Sequence, residues 1–486
     1  MVKKFTAIIC IMAIICCCLS GCGNGISGGS EKNSSKVINI GIRKAGYSTE
    51  WIESIAKKYM EKNKGVTVNI EATTGMAGTA SRAFNQNKTS QYKDLYFLHC
   101  LTSDWMLWQA EDKLYPLETE KLTGSLDEKV RALGSIDNTL YFLSPFMPLI
   151  GFVYNQDYVD KIPSLGGFKK GEFPTTMQGM YDMITSIEKN PIYYTDTSGK
   201  KNKVLPFSYG GAADEPNLIF MSLFAQGNGG KDFDDYFGQD GSAPSPTKSL
   251  YVNDSILNAM TALSKMMKPS GGSSSISVNG SASFTNIDSE KEFLTGASVF
   301  CNTGSWFESE TVELRKSESA VKNYRFAAVP NINSADKKLT VIANIPTDGY
   351  FIPKNCNNPE GALDFLEFIN EESNAKEVTK MITTPSAYKY TYSDADTTDY
   401  STFAKDIIKI YSNEKIVIPY ADTQLCRAGV LQSVVLTSGG ASEYVWRKLS
   451  LGDYTTEKEF KSVLEKSFAG ARSNWKDWQE TAGIGW

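Results

Sequence analysis

Residues 293–306 read FLTGASVFCNTGSW. The apolar run at 297–300 predicts a buried strand, and Gly304 permits a tight turn just beyond it. Such a turn aims the indole of Trp306 out of the sheet edge, with Ser305 beside it. Open α/β sheets bind ligands outside the carboxyl ends of their strands. Trp306 is therefore the principal candidate for a ligand contact, and the competing role for its ring is core packing.

The same grammar runs outward from this stretch. Residues 37–42 (VINIGI) and 66–70 are strand candidates on either side of a helix. On that helix Trp51, Ile52, Ile55, Ala56, Tyr59 and Met60 repeat at helical spacing, Ser48 is the expected N-cap and Gly65 the stop. Residues 95–98 predict a buried strand and 105–110 a short helix. Strand-like runs return at 141–143, 151–154 and 326–329. Thr175 or Thr176 caps a helix bearing Met180, Tyr181, Ile184 and Ile187. Residues 218–225 predict an apolar helix, Asp254 caps another, and Pro359 opens one carrying Ala362, Leu363, Phe365, Leu366, Phe368 and Ile369. Residues 231–249 and 270–283, rich in Gly, Asp, Pro and Ser, read as exposed loops. Strands separated by helices predict a parallel α/β sheet.

Composition narrows the function. The 486 residues hold 50 Lys and Arg, 55 Asp and Glu, and one histidine, His99. No basic stripe offers itself to phosphates, which excludes a nucleic-acid partner. A single histidine excludes HExxH metal sites and serial imidazole relays, and no metal or cofactor is expected. His99, at a strand end, reads as structural. Rings are abundant, with 24 Phe, 24 Tyr and 8 Trp.

The N-terminus supplies an address. Lys3 and Lys4 precede an apolar run from Phe5 to Leu19 of about fifteen residues, too short for a typical membrane span. It ends in Leu19-Ser20-Gly21-Cys22, which resembles a bacterial lipobox. Residues 1–21 are then a signal peptide and Cys22 takes the lipid. With Lys3 and Lys4 removed, 48 basic residues face 55 acidic ones, near −7. Cys100, Cys301, Cys356 and Cys426 remain, widely spaced and without a CxxC, and are expected as free, mostly buried thiols. Residues 22–36 read as a flexible tether. The rest is expected to be extracytoplasmic, held by lipid to the outer face of the cytoplasmic membrane.

Several stretches together resemble a family. They are Asp94-Leu-Tyr-Phe97 with 105–117, residues 141–157 ending in Tyr154-Asn-Gln-Asp157, and Phe173-Pro-Thr-Thr176. Residues 293–306, Ala328-Val-Pro330, Asp348-Gly-Tyr-Phe-Ile-Pro-Lys354 and 359–369 complete the set. In order and spacing they are similar to the extracellular solute-binding proteins of bacterial carbohydrate ABC importers, family 1, maltose-binding-protein-like. Thr176-Met177 departs from the family's usual Thr-Trp. The resemblance implies a two-lobed α/β fold of the type II periplasmic-binding-protein kind, with mixed parallel sheets flanked by helices and a hinge between lobes. Residues 37–144 plus 342–400 are expected as lobe 1, and 145–341 plus 401–486 as lobe 2. The implied partners are a sugar, two permease subunits and, indirectly, an ATPase, with the protein itself a monomer and not an enzyme.

A sugar offers hydroxyls at its rim and C–H patches on its faces, so it needs flat rings and fixed polar groups. Besides Trp306 and Ser305, the candidates are Tyr47 and Ser48 after the first strand, Asp104 and Trp105 after the third, and Trp108. Glu215 and Asn217, with Tyr209 and Asp214, precede the apolar helix. Asp348 and Tyr350 flank the expected hinge. Rival readings remain open. A polyamine or peptide could use Asp104, Asp214 and Glu215, and a glycoside hydrolase would need two carboxylates facing across a cleft. A surface lipoprotein that captures glycans without transport is a further rival.

Overall fold

The computed structural model describes residues 36–481 apart from 45, 100–101, 213–214, 238–244, 246, 267–275, 334–337, 344–347 and 419–455. The leader, Cys22, nearly all of the tether, Cys100, Asp214 and Cys426 lie outside the described residues, as do the side chains of His99, Glu215 and Asn217.

Two four-stranded sheets organise the chain. Val37–Arg43 (β1) pairs in parallel with Thr67–Thr73 (β2) and Leu95–His99 (β3). Ile38, Ile40 and Ile42 share one buried face of β1, as a period of two requires. On the opposite face Gly41 lies against Tyr96, whose ring would sit 2.8 Å from a Cβ there, so only glycine fits. The second sheet is built from Ile150–Asn155 (β4), Leu205–Ser208 (β5), Ser298–Gly304 (β6) and Tyr324–Ala328 (β7), in the order β7-β4-β6-β5. The chain then returns to the first sheet as Asp348–Phe351 (β8), which joins β3 antiparallel and sets the order β8-β3-β1-β2.

Both sheets are mixed rather than all parallel. In the second, β6 runs antiparallel to β4 and parallel to β5, while β7 runs antiparallel to β4. The antiparallel strand of the first sheet, β8, follows the whole second sheet in sequence and so comes back to β3 rather than crossing over a helix beside it.

Local expectations fare unevenly. Glu50–Lys62 is helical and buries Trp51, Ile52, Ile55, Ala56 and Tyr59. Its N-cap is Thr49, however, and Ser48 adopts the left-handed backbone with φ 58°. Thr176 caps Met177–Lys189 by accepting from Gly179 N, and Asn358 caps the helix that Pro359 opens. Asn253, not Asp254, caps Asp254–Met266, since its Oδ1 accepts from Ile256 N at 2.9 Å. Residues 141–143 form no strand and contribute one bridge, Leu143 to Tyr350. Lys231–Phe237, expected as a loop, is a helix because Phe233 and Tyr236 reach the core and pack on Phe224. Farther on, Thr402–Asn413 lies on β7, where Phe403 packs against Phe326 at 5.4 Å. Arg325 clamps Asp406 there through Nε at 2.9 Å and Nη2 at 2.5 Å.

Candidate functional site

Strand β6 is longer than the run at 297–300 suggests, and all seven of its residues are buried. Its pairing sorts the side chains. Phe300, Asn302 and Gly304 lie opposite Tyr154, Phe152 and Ile150 of β4, all on one face. On that face Phe300 stacks on Phe207 at 5.0 Å, and Phe207 contacts Tyr209 at 5.3 Å. Cys301 pairs with Ser208 at the end of the β6–β5 ladder, and Asn302 lies opposite Phe152 of β4.

The indole of Trp306 does not project from the sheet edge. It folds back over Gly304, so that a Cβ built there would meet ring carbons at 2.2–2.5 Å. Glycine is what lets the ring lie against the strand. Trp306 is half-buried and packs on the same core as Tyr209. Two residues before Gly304 on the strand, Asn302 is 1% exposed, and neither its Nδ2 nor its Oδ1 has a hydrogen-bond partner.

The other face of β6 is acidic. Thr303 Oγ1 donates to Glu290 Oε1 at 2.6 Å, and Glu290 is wholly buried on the helix Asn286–Leu294. The second oxygen of Glu290 and Oε2 of Glu310 both lack partners. Burial pushes the Glu290 carboxyl well above the usual carboxylate range, the Glu310 charge adds to this, and the Thr303 hydrogen bond opposes it. Burial likewise raises Glu310.

Ser305 and Tyr47 connect the two sheets' surroundings. Ser305 is buried and its N donates to Leu149 O at 2.9 Å. Its Oγ lies 2.8 Å from Thr384 Oγ1, and its carbonyl accepts from Thr383 Oγ1 at 2.5 Å. Tyr47 sets its ring edge on Phe146 at 5.5 Å. Burial raises the Tyr47 hydroxyl, the charges of Asp348 and Glu310 add to this, and a hydrogen bond with Thr384 partly offsets it. Tyr47, Ser305, Asp348, Glu310 and Thr384 therefore converge where β6 ends.

The other candidates lie elsewhere. Trp105 is core, stacked on Phe142 at 5.6 Å, and Trp108 stacks on Phe84 at 4.3 Å. Tyr350 is core beside Phe97 at 4.7 Å. Asp104 is half-buried, and burial raises its carboxyl. Glu215 and Asn217 begin the helix Glu215–Gln226. Asp348 faces His99 in the β8–β3 register. Sequence reasoning missed Asn302, Glu290, Glu310 and Thr384. The available signal was an Asn directly following the apolar Val299-Phe300-Cys301 run. Among the described residues no cluster of three or more His, Cys, Asp or Glu could hold a metal. The buried Cys301 thiol donates to Asn302 O at 3.3 Å and lies 3.5 Å from Ser289 Oγ, and burial pushes the Cys356 thiol up to about 12.

Two α/β halves with convergent polar groups and rings at strand ends define a ligand-binding protein rather than a scaffold. The sequence profile of the bacterial extracellular solute-binding proteins matches residues 54–405, and the chain belongs to that family. Its fold is the two-lobed fold of solved members. One is the solute-binding protein RafE in complex with raffinose, at 13% identity and TM-score 0.62, covering 90% of this chain and 99% of that one. A chitin oligosaccharide binding protein shares 14% identity at TM-score 0.62, over 90% of this chain and 99% of that one. Maltose-bound MalE3 of T. maritima shares 13% at TM-score 0.60, over 89% and 98%. No curated protein matches the chain in sequence. Among the described residues no helix is long and apolar enough to cross a membrane.

Proposed function

We propose that this protein is the substrate-binding lipoprotein of a sugar ABC importer. It captures a sugar, an oligosaccharide in our reading, and delivers it to two permease subunits driven by an ATPase. It acts as a monomer and by binding rather than catalysis. The observation that carries the reading is the indole of Trp306 laid on Gly304, on the strand face that also carries the unpartnered amide of Asn302. A half-buried ring beside fixed polar atoms suits a ligand with apolar faces and a hydroxylated rim. The sugars in the names of structurally similar proteins support the same ligand class.

The ligand site is assigned to Trp306, Tyr209, Asn302, Tyr47 and Asp348, with Glu215 and Asn217 as further candidates. Lobe 1 comprises residues 37–144 and 342–400, and lobe 2 comprises 145–341 and 401–486. Cys22 carries the lipid that holds the protein to the outer face of the membrane.

A thermal-shift screen of the mature protein against raffinose, maltotriose, xylotriose and chitotriose tests the ligand class. A bound sugar raises the melting temperature with concentration, by an amount equivalent to about 2.7 kcal/mol at a hundredfold excess over Kd. No response to any sugar, together with a response to spermidine, would replace the sugar with a polyamine. For the anchor, radiolabelled palmitate enters the wild type and not Cys22→Ala; equal labelling would refute it.

A further inference from the structure

The amide of Asn302 lies within the second sheet, 1% exposed, with donor and acceptor both unpartnered. Its position is set by backbone pairing on both sides, opposite Phe152 and one row beyond the Cys301–Ser208 pair. Phe152, its partner across the ladder, packs with Phe207 and Phe300 into one aromatic cluster. Two residues on, the indole of Trp306 covers Gly304 on the same face. A buried amide without partners is disfavoured unless something completes it. The shape of what completes it follows from the amide itself.

Asn presents Nδ2 donors and an Oδ1 acceptor side by side. An ammonium satisfies the oxygen and leaves the donors stranded. A carboxylate or phosphate satisfies the donors and leaves the oxygen stranded. The acetamido group of an N-acetylated sugar is a trans amide, whose N–H and C=O point opposite ways, so one Asn can engage only one of them. Two adjacent hydroxyls held gauche satisfy both ends together, one donating to Oδ1 and the other accepting from Nδ2.

We propose that Asn302 is the specificity-determining residue of the site and reads a pair of adjacent hydroxyls on a neutral sugar. This rests on the sugar-binding reading and sharpens it. The ligand's ring packs against Trp306, and the indole shifts off Gly304 to admit it. The site thereby selects hydroxylated sugars over polyamines, acids and sugars whose hydroxyl pair is interrupted by an acetamido group.

Titration calorimetry with raffinose, maltotriose, xylotriose and chitotriose on wild type and Asn302→Leu tests this. At least one of the non-acetylated sugars binds the wild type, and Asn302→Leu weakens it about tenfold or more, as expected for two lost hydrogen bonds. The unliganded melting temperature of the variant stays level or rises, because an unpartnered amide has been removed. Equal affinity in wild type and variant overturns the role of Asn302 and leaves the sugar reading intact. Binding to none of the sugars overturns both. Should Asn302→Leu fail to fold, the wild type is titrated with monodeoxy analogues of the sugar that binds. Loss of either of two neighbouring hydroxyls then weakens binding comparably, and tolerance of every single deletion refutes the proposal.

Discussion

At the scale of single residues, the two faces of β6 carry opposite problems. One holds a neutral amide without partners, and the other holds Glu290, buried against Glu310 with a single hydrogen bond from Thr303. Because burial raises Glu290 above its ordinary range, the folded protein holds a proton that the unfolded chain releases. The stability this proton contributes is fully present below the ordinary carboxyl pKa and is lost as pH rises toward the folded value. Glu290→Gln carries no such penalty, and its amide can donate to Glu310. The variant should therefore melt above the wild type at pH 8, with the gap closing near pH 4; a lower melting temperature at both pH values would contradict the account. Legibility at this scale is partial. Trp306 was readable because Gly-Ser-Trp follows an apolar run, but its orientation was not. The indole lies back on Gly304 and packs against a core drawn from segments far away in sequence. Trp105 shared the same strand-end logic and Tyr350 stood beside the expected hinge, yet both are buried. A position after a strand does not say which way a side chain points.

At the scale of elements, patterns of local origin were the readable ones. The helix at Glu50–Lys62 announced itself by its apolar spacing, and the one at Pro359–Ile369 by its opening proline. The mixed strand directions were not readable, since pairing between β8 and β3 joins segments some 250 residues apart. Neither was the docking of Thr402–Asn413 on β7. That contact rests on Phe403 and on the bidentate Arg325–Asp406 pair, whose aspartate side chain is 11% exposed. Asp406 also accepts from Phe326 N at 3.3 Å. Asp406→Ala should lower stability by about 1–3 kcal/mol, discounted because Arg325 is partly solvated. Urea denaturation reads this directly, and an unchanged midpoint would show that Phe403 alone holds the helix.

For the whole molecule, the order of motifs carried more than any one of them. The family and its two-lobed fold were legible because strand, helix and turn signals succeed one another in a set sequence over 54–405. The ligand was less legible, since it depends on which groups meet where β6 ends. There Ser305 is tied to Thr383 and Thr384, and Tyr47 arrives from beside the first sheet. In the proposed site, a ring platform and an unpartnered amide lie near that convergence, and the proposed ligand completes both. The most direct test is titration calorimetry on the sugar giving the largest thermal shift, comparing wild type with Trp306→Ala. The account predicts an affinity lowered by well over tenfold in a variant that remains folded. Unchanged affinity in the folded variant would remove Trp306 from the site and contradict the account.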